Sequence, residues 1–401
     1  MDDLFLKKLI QPADTKIVML VMDGLGGLPR QPGGKTELET AHTPHMDALA
    51  ALSSLGLTIP VAPGITTGSG PGHLALFGYD PLHYEIGRGV MEALGVDFEL
   101  KPEDLAARGN FCTIDDNGLV SDRRAGRIPT GLNQQLSRLL ASISLDEGRV
   151  YILPVKEHRF AFVLRAAGLS TSLCDTDPQK TGVPPLPVTA NDPGSAKAAR
   201  LVNQFLGSAQ KALAKHHPAN MIMLRGFARL PNIPSFPERY GLNAAAVAVN
   251  GMYRGVARMV KMQVLEVHGV TLEDELVALE KNWPVFNFFY LHIKKTDTLG
   301  EQGDFNGKVA AIEEVDAALP RIMALNPQVL IITGDHSSPA VLKAHSWHPV
   351  PLLLYSHLVR PDGISEFGER ACVRGSLGTI PAIHIMPLAL ANASRLSKYG
   401  A

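Results

Sequence analysis

Carboxylates and imidazoles stand at the ends of apolar runs in this chain, at positions far apart in the sequence. Asp23 ends the run in IVMLVMDG, Asp297 ends FNFFYLHIKKTD, and the Asp335–His336 pair closes the run in QVLIITGDHSS. His345 and His348 follow in AHSWHPVP. Side chains delivered from several strand ends are how an open α/β sheet assembles a polynuclear metal site. A pair of divalent ions is a standard device for phosphoryl chemistry. Adjacent residues such as Asp335 and His336 can share one ion only where the chain turns out of the sheet, and Gly334 permits that turn. Taken singly each has a plainer alternative, a capping aspartate or a satisfied histidine. The coincidence of several in one chain carries the weight.

Asp297 and Glu301 are four residues apart, so one helical turn after the strand would set both on one side, facing a shared hard cation. A solvated acidic loop is the alternative. Pro349 and Pro351 stiffen the chain beside His345 and would hold it on one face. His348 is a neighbour of that face with no fixed role. Ser69, in TTGSGPGH, is the candidate nucleophile. A serine among glycines at a helix start faces free N–H groups suited to phosphate, and a metal can hold its hydroxyl as alkoxide without a histidine base. Helix capping is what such a serine does otherwise.

A second set of charged residues lies in the middle of the chain: Arg88 in IGRG, Asp122, Arg123, Arg124 and Arg127 in SDRRAGR, Lys156, His158 and Arg159 in KEHR, and Arg225 in LRGF. Arginines in short loops beside glycine suit bidentate binding of phosphate and carboxylate. Any one alone reads as surface charge. A metal site on one domain and anion clamps on another imply an anionic substrate held in a cleft.

The elements that would position these groups follow from periodicity. IVMLVM is a short continuous apolar run, as in a buried parallel strand. HTPHMDALAALSSLG places Met46, Leu49, Leu52 and Leu55 at helical spacing, with Thr43–Pro44 as start and Gly56 as stop. GLNAAAVAVNGMYRGVARMVKM reads as helical, and strands FNFFYLHI and QVLIITGD alternate with the helix KVAAIEEVDAALPRIM. Between them, RVYILP, RFAFVLRAA and NMIMLRGFA are strand-like and PNIPSFPERYG is a proline-rich crossing. These features predict an α/β fold: a mostly parallel central sheet flanked by helices in residues 1–80 and 236–401, interrupted by a smaller α+β insert at 81–235.

The chain has 401 residues and a formal net charge of −1, which gives no bulk attraction to nucleic acid or an anionic membrane. Cys112, Cys174 and Cys372 are widely spaced and read as reduced thiols. MDDLFLKKLI has neither the basic start nor the apolar stretch of a signal peptide, so a cytoplasmic protein is expected.

Taken together and in order, VMDGLGG, the Gly-Ser-Gly turn before HLALFGYDP, EIGRGV, RGNFCT with DRRAGR, TGDHSSP and HSWHPVP resemble the archaeal-type cofactor-independent (2,3-bisphosphoglycerate-independent) phosphoglycerate mutases, over essentially the whole chain. The resemblance implies the alkaline phosphatase superfamily, with an alkaline-phosphatase-like core. It also implies interconversion of 3- and 2-phosphoglycerate through a phosphoserine, at two divalent ions, manganese or magnesium before zinc or cobalt. Carried over by motif, Asp23, Ser69, Asp335 and His336 surround one ion, and Asp297 and His345 hold the other. Where the family commonly has histidine four residues after that aspartate, this chain has Glu301. The substrate residues implied are Arg88, Asp122, Arg123, Arg127, His158 and Arg225, with Arg254 in GMYRGVA as a further phosphate-facing cation. Closure of the insert, with hinges near 78–82 and 231–240, would keep water from the phosphoserine. A metal-dependent phosphomonoesterase or another phosphomutase is the rival reading, and a non-catalytic metal- or phosphate-binding protein stands behind it. The small-molecule substrate would be the partner, and a homo-oligomer is left open.

Overall fold

The computed structural model describes residues 3–400. The leader reading begins on Met1 and Asp2, which lie outside the described residues. In chain order the strands are β1 (Ile17–Met22), β2 (Ser53–Ile59), β3 (Asp104–Ile114), β4 (Val120–Asp122), β5 (Arg149–Lys156), β6 (Arg159–Arg165), β7 (Met221–Ala228), β8 (Ala244–Val247), β9 (Gln263–Val264), β10 (Phe288–Ile293), β11 (Val329–Thr333), β12 (Val350–Ser356) and β13 (Gly378–Pro381). The chain divides into two compact units. One runs up to Glu85 and resumes at Ile233, and the other is Ile86–Asn232. Among the described residues no helix is long and apolar enough to cross a membrane.

The first unit is an α/β layer structure on an eight-stranded sheet of order β13-β2-β12-β11-β1-β10-β8-β9. β1 pairs in parallel with both β10 and β11, and β10 in parallel with β8. β12 runs antiparallel to β11 and β2. All six residues of β1 are fully buried, which accounts for its unbroken apolar sequence: helices cover both faces and no position meets water. Because β1, β10 and β11 are parallel neighbours, their carboxyl ends share one edge of the sheet. β12, running the other way, brings its amino end and the segment before it to that same edge.

Two helical readings are corrected here. The helix around Met46 stops at Ala50, and Leu55 and Gly56 belong to β2. Leu52, taken as a core position of that helix, is exposed. The AAAVAV stretch holds β8, with the helix beginning only at Gly251. Burial of Ala244–Val247 between neighbouring strands overrides the helical preference of alanine. The proline-rich crossing contains a short helix, Phe236–Tyr240, capped by Ser235.

The second unit is an antiparallel sheet centred on β3, which pairs with β6 on one side and β7 on the other, with β5 outside β6 and β4 at the end of β3. One face packs Leu105, Ala107 and Phe111 against helices Thr130–Ala141 and Ala196–Leu213. β3 was not legible as a strand, because its other face carries Arg108 and Asn110 and breaks the apolar run.

Candidate active site

At the carboxyl edge of the first unit's sheet, Asp23 leaves β1 and the Asp335–His336 pair leaves β11, all fully buried. Asp297 lies in the first turn of helix Lys295–Gln302, directly after β10. His345 precedes β12. Ser69 is the first residue of helix Ser69–Leu76, with Gly68 as its N-cap. That helix lies tight against the Asp335 loop: a Cβ on Gly72 would sit 2.4 Å from the Asp335 carbonyl oxygen.

Hydrogen bonds fix the tautomers. The Ser338 hydroxyl donates to Asp297 Oδ1 at 2.5 Å, so at 3.2 Å from His336 Nδ1 it can only accept. His336 Nδ1 therefore carries a proton, and in that tautomer the ring presents its Nε2 lone pair. That nitrogen lies 3.3 Å from Asp23 Oδ1, 3.2 Å from Asp335 Oδ2 and 3.2 Å from Ser69 Oγ. Both carboxylate oxygens are buried; Asp23 Oδ1 has no hydrogen-bond partner, and Asp335 Oδ2 has only a poorly aligned contact with His73 Nδ1 at 3.1 Å. Buried polar atoms are ordinarily satisfied, so two under-satisfied anionic oxygens around one lone pair fit a cation-binding donor set. His345 is prepared in the same way: its Nδ1 faces the Thr67 carbonyl at 2.9 Å, leaving Nε2 free, 3.5 Å from Asp297 Oδ1 and from Glu301 Oε1. The His336 and His345 rings stack with centroids 3.7 Å apart. Two groups with metal-ligand spacing result, Asp23–Asp335–His336 and Asp297–His336–His345. His336 stands in both, whereas the sequence expectation placed it in the first alone. Glu301 is about half exposed and borders the second group. His348 lies aside, with its Nδ1 3.0 Å from the Ser346 hydroxyl.

Several residues of this site were missed in the sequence. Lys294 contacts one carboxylate oxygen of each group, Asp23 Oδ2 at 3.1 Å and Asp297 Oδ2, and reaches the Tyr253 hydroxyl at 2.9 Å. His292 Nε2 lies 3.1 Å from Asp23 Oδ2, and the Tyr253 ring stacks on the His292 ring at 3.6 Å. His73 Nδ1 faces the Ser69 carbonyl at 2.8 Å. Burial opposes ionisation of Asp23, but the His292 hydrogen bond and the Lys294 charge hold it well below the usual carboxylate range. Asp335 is lowered as well: burial and the Asp23 charge oppose ionisation, and the facing His336 and His73 outweigh them. Only the first lysine of HIKKTD, and a histidine one turn after Ser69, hinted at any of this.

The insert gathers the basic groups into a cavity of about 410 Å³, lined by Arg88, Arg108, Asn110, Arg123, Arg124, Arg127, Glu157, His158, Arg159 and Arg225. Register explains the convergence: Arg108 pairs with Arg225 and Asn110 with Arg159 across antiparallel strands, so all four share one sheet face. Asp177 binds Arg123 bidentately, at 3.0 and 2.7 Å, and Arg225 at 3.2 Å. Asp122 is not among the lining residues. It accepts the backbone N–H groups of Arg124 and Gly126 and so shapes the arginine loop. Ala125, Gly126 and Arg127 there all have positive φ, strain of the kind concentrated at functional loops. Burial, together with Arg159 and Arg124, pushes the His158 pKa down to about 4, so the ring is neutral near pH 7. Arg254 belongs to the first unit, beside Tyr253 on helix Gly251–Met259. Arg108 and Asn110 were missed along with β3.

A family model described as 2,3-bisphosphoglycerate-independent phosphoglycerate mutase matches residues 50–220. A Thermus thermophilus protein named as a probable enzyme of that kind is 51% identical over 405 aligned residues, covering 100% of both chains. One from Aquifex aeolicus is 48% identical, covering 99% of each. Among solved structures, a Pyrococcus horikoshii protein matches with TM-score 0.82 at 32% identity, over 96% of this chain and 99% of its own. The cofactor-independent phosphoglycerate mutase of Thermoplasma acidophilum matches with TM-score 0.76 at 29% identity, over 94% of this chain and 100% of its own. With near-half identity along its whole length, the chain belongs to the 2,3-bisphosphoglycerate-independent phosphoglycerate mutases, a family of isomerases.

Proposed function

We propose that this enzyme interconverts 3- and 2-phosphoglycerate through a phosphoserine on Ser69. Asp23, Asp335, His336 and Ser69 would hold one divalent ion, and Asp297 and His345 the other, with Glu301 at its solvent side. The carboxylate-rich donor set favours manganese or magnesium over softer ions. Such ions supply a lowered pKa for the serine hydroxyl and positive charge for the phosphoryl oxygens.

In the forward direction Ser69 Oγ gives up its proton and forms its bond to phosphorus as the bond from phosphorus to the substrate 3-oxygen breaks, and that oxygen takes up a proton. The 2-hydroxyl of the reoriented glycerate then attacks the phosphoserine, gives up its proton, and releases Ser69. His73 holds the Ser69 carbonyl, and with it the first turn of the helix. Lys294 adds a fixed positive charge beside Asp23 and Asp297. Arg88, Arg123, Arg127, His158 and Arg225 would bind the anionic groups of glycerate. Arg254 in the first unit is a further phosphate-facing cation, and Asp122 acts by shaping the arginine loop.

The observation that carries this reading is the approach of the Ser69 hydroxyl to the His336 Nε2 lone pair at 3.2 Å, beside the buried, under-satisfied oxygens of Asp23 and Asp335. The test is product identity from 3-phosphoglycerate and Mn²⁺ with no 2,3-bisphosphoglycerate added. The expected product is 2-phosphoglycerate with little inorganic phosphate. Ser69→Ala should lose at least ~10³-fold in turnover while still binding Mn²⁺ in calorimetry. Phosphate as the main product would favour the phosphomonoesterase, and unimpaired turnover in Ser69→Ala would end the phosphoserine mechanism.

A further inference from the structure

Helix Phe305–Ala324 sends a lysine into the interior behind the ligand loops. Lys308 is fully buried, and its ammonium donates to the carbonyls of Gly24 at 2.8 Å, Gly26 at 3.1 Å and Ser338 at 2.9 Å. Three N–H donors meet three acceptors. The acceptors come from two separate loops: Gly24 and Gly26 follow Asp23, and Ser338 follows Asp335–His336 and carries the hydrogen bond linking His336 to Asp297. The loops approach so closely that a Cβ on Gly24 would lie 2.7 Å from the Ser338 hydroxyl, and one on Gly26 would lie 1.9 Å from that of Ser337. The fully buried Glu37 ties the same loops from their N–H side, accepting Leu28 N at 3.0 Å on Oε2 and Ala340 N at 2.7 Å on Oε1.

We propose that Lys308 is a built-in cation that, with Glu37 as the opposing tie, sets the spacing of the two loops carrying the metal ligands. It is a positioning residue for the metal site. Carbonyl oxygens converging from different loops repel one another unless a cation sits at their focus, as they do around a bound metal ion. A covalently attached ammonium fills that focus permanently, so the Asp23 and Asp335–His336 donors are held at one separation before any exchangeable ion arrives. Losing such an outer support typically costs ~10–100-fold in metal affinity.

This inference rests on the reading of Asp23, Asp335 and His336 as ligands, and calorimetric titration of Mn²⁺ separates the two. Absence of Mn²⁺ binding to the parent enzyme would remove that reading itself. Given binding by the parent, Lys308→Met and Lys308→Ala are expected to bind Mn²⁺ ~10–100-fold more weakly, with most of the loss of turnover recovered at saturating Mn²⁺. Methylammonium should restore Mn²⁺ affinity to Lys308→Ala, whose carbonyl focus is vacated, and not to Lys308→Met, whose side chain fills it. A general loss of packing would show no such selectivity. Leu354→Ala, a core substitution in β12, is the control for destabilisation alone. Mn²⁺ affinity within twofold of the parent in folded Lys308 variants would overturn the proposal, as would an equal loss in Leu354→Ala. Should both Lys308 variants fail to fold, Glu37→Gln, which keeps the shape and gives up one N–H acceptor, must weaken Mn²⁺ binding for the proposal to stand; unchanged affinity there overturns it.

Discussion

Asp23, Asp335 and His336 of the first unit are fully buried, whereas Arg123 and Arg159 of the insert cavity keep about a third of their side-chain surface, 31% and 37%. In the first array every imidazole has its proton directed by a fixed acceptor, and the free lone pairs and under-satisfied oxygens converge. In the second array arginines are pinned to carboxylates, Arg123 and Arg225 to Asp177 and Arg108 to Glu92, and still face the cavity. Buried charge without compensation is costly, so the first array suits a bound counter-charge. These guanidinium groups keep part of their surface open to the cavity while their carboxylate partners lie beneath, which suits an anion that enters and leaves on the open side. Under the proposed function, chemistry and recognition would thus be separated by burial as well as by sequence.

The largest expected contrast comes from Asp335→Asn. It removes one under-satisfied oxygen's charge at constant shape, and Mn²⁺ affinity should fall by more than the ~10–100-fold that losing an outer partner costs, with turnover falling in step. Calorimetry and steady-state rates check this, and retained Mn²⁺ affinity would erase the distinction between the two arrays. Asp177→Ala should do the reverse. Releasing Arg123 and Arg225 is expected to raise KM about tenfold, equivalent to ~1.4 kcal/mol, with kcat and Mn²⁺ affinity within about twofold. A fall in kcat instead would assign the arginines to the chemical step.

Smaller effects, of opposite sign in the two units, should appear in the pH dependence of melting. Glu275 is buried beneath the first unit's sheet, and burial raises its pKa to about 8. Between its ordinary value and 8 the folded state binds more protons than the unfolded state, so its contribution is lost as pH rises toward 8. Glu275→Gln should therefore raise Tm by a few degrees at pH 8.5 and change it little near pH 4.5. His158 is depressed to about 4, so here the unfolded state binds more protons, and stability falls as pH drops from 6.5 toward 4. His158→Gln should flatten that acid limb. Differential scanning calorimetry across pH 4–9 measures both slopes, and equal slopes in variant and parent would remove the burial argument from the corresponding unit.

Positions 23, 297, 335, 336 and 345 were legible because each follows or borders an apolar run, and Ser69 because glycines surround it. The supporting residues were not. His292 lies inside β10 with the pattern of an ordinary core residue, and Lys294, Tyr253 and Ser338 have no spacing that distinguishes them from polar side chains facing solvent. Arg108 and Asn110 were hidden with β3, whose alternation of arginine, glycine and asparagine looks like a loop until one face is known to line a cavity. The misread helix at AAAVAV has the same origin: alanine prefers helix locally, and only neighbouring strands make β8 extended.

What the sequence by itself determined was the kind of chemistry and the alternation of strands and helices that carries it, since residue type and hydrophobic period are local properties. Which oxygen is left without a partner, which nitrogen keeps its lone pair, and which two loops meet on one buried ammonium were decided only by tertiary packing. Those facts depend on residues about 280 to 310 positions apart being brought within 3 Å or so, as in Lys308 to Gly24 and Gly24 N–H to Asp335. No local period encodes such a distance.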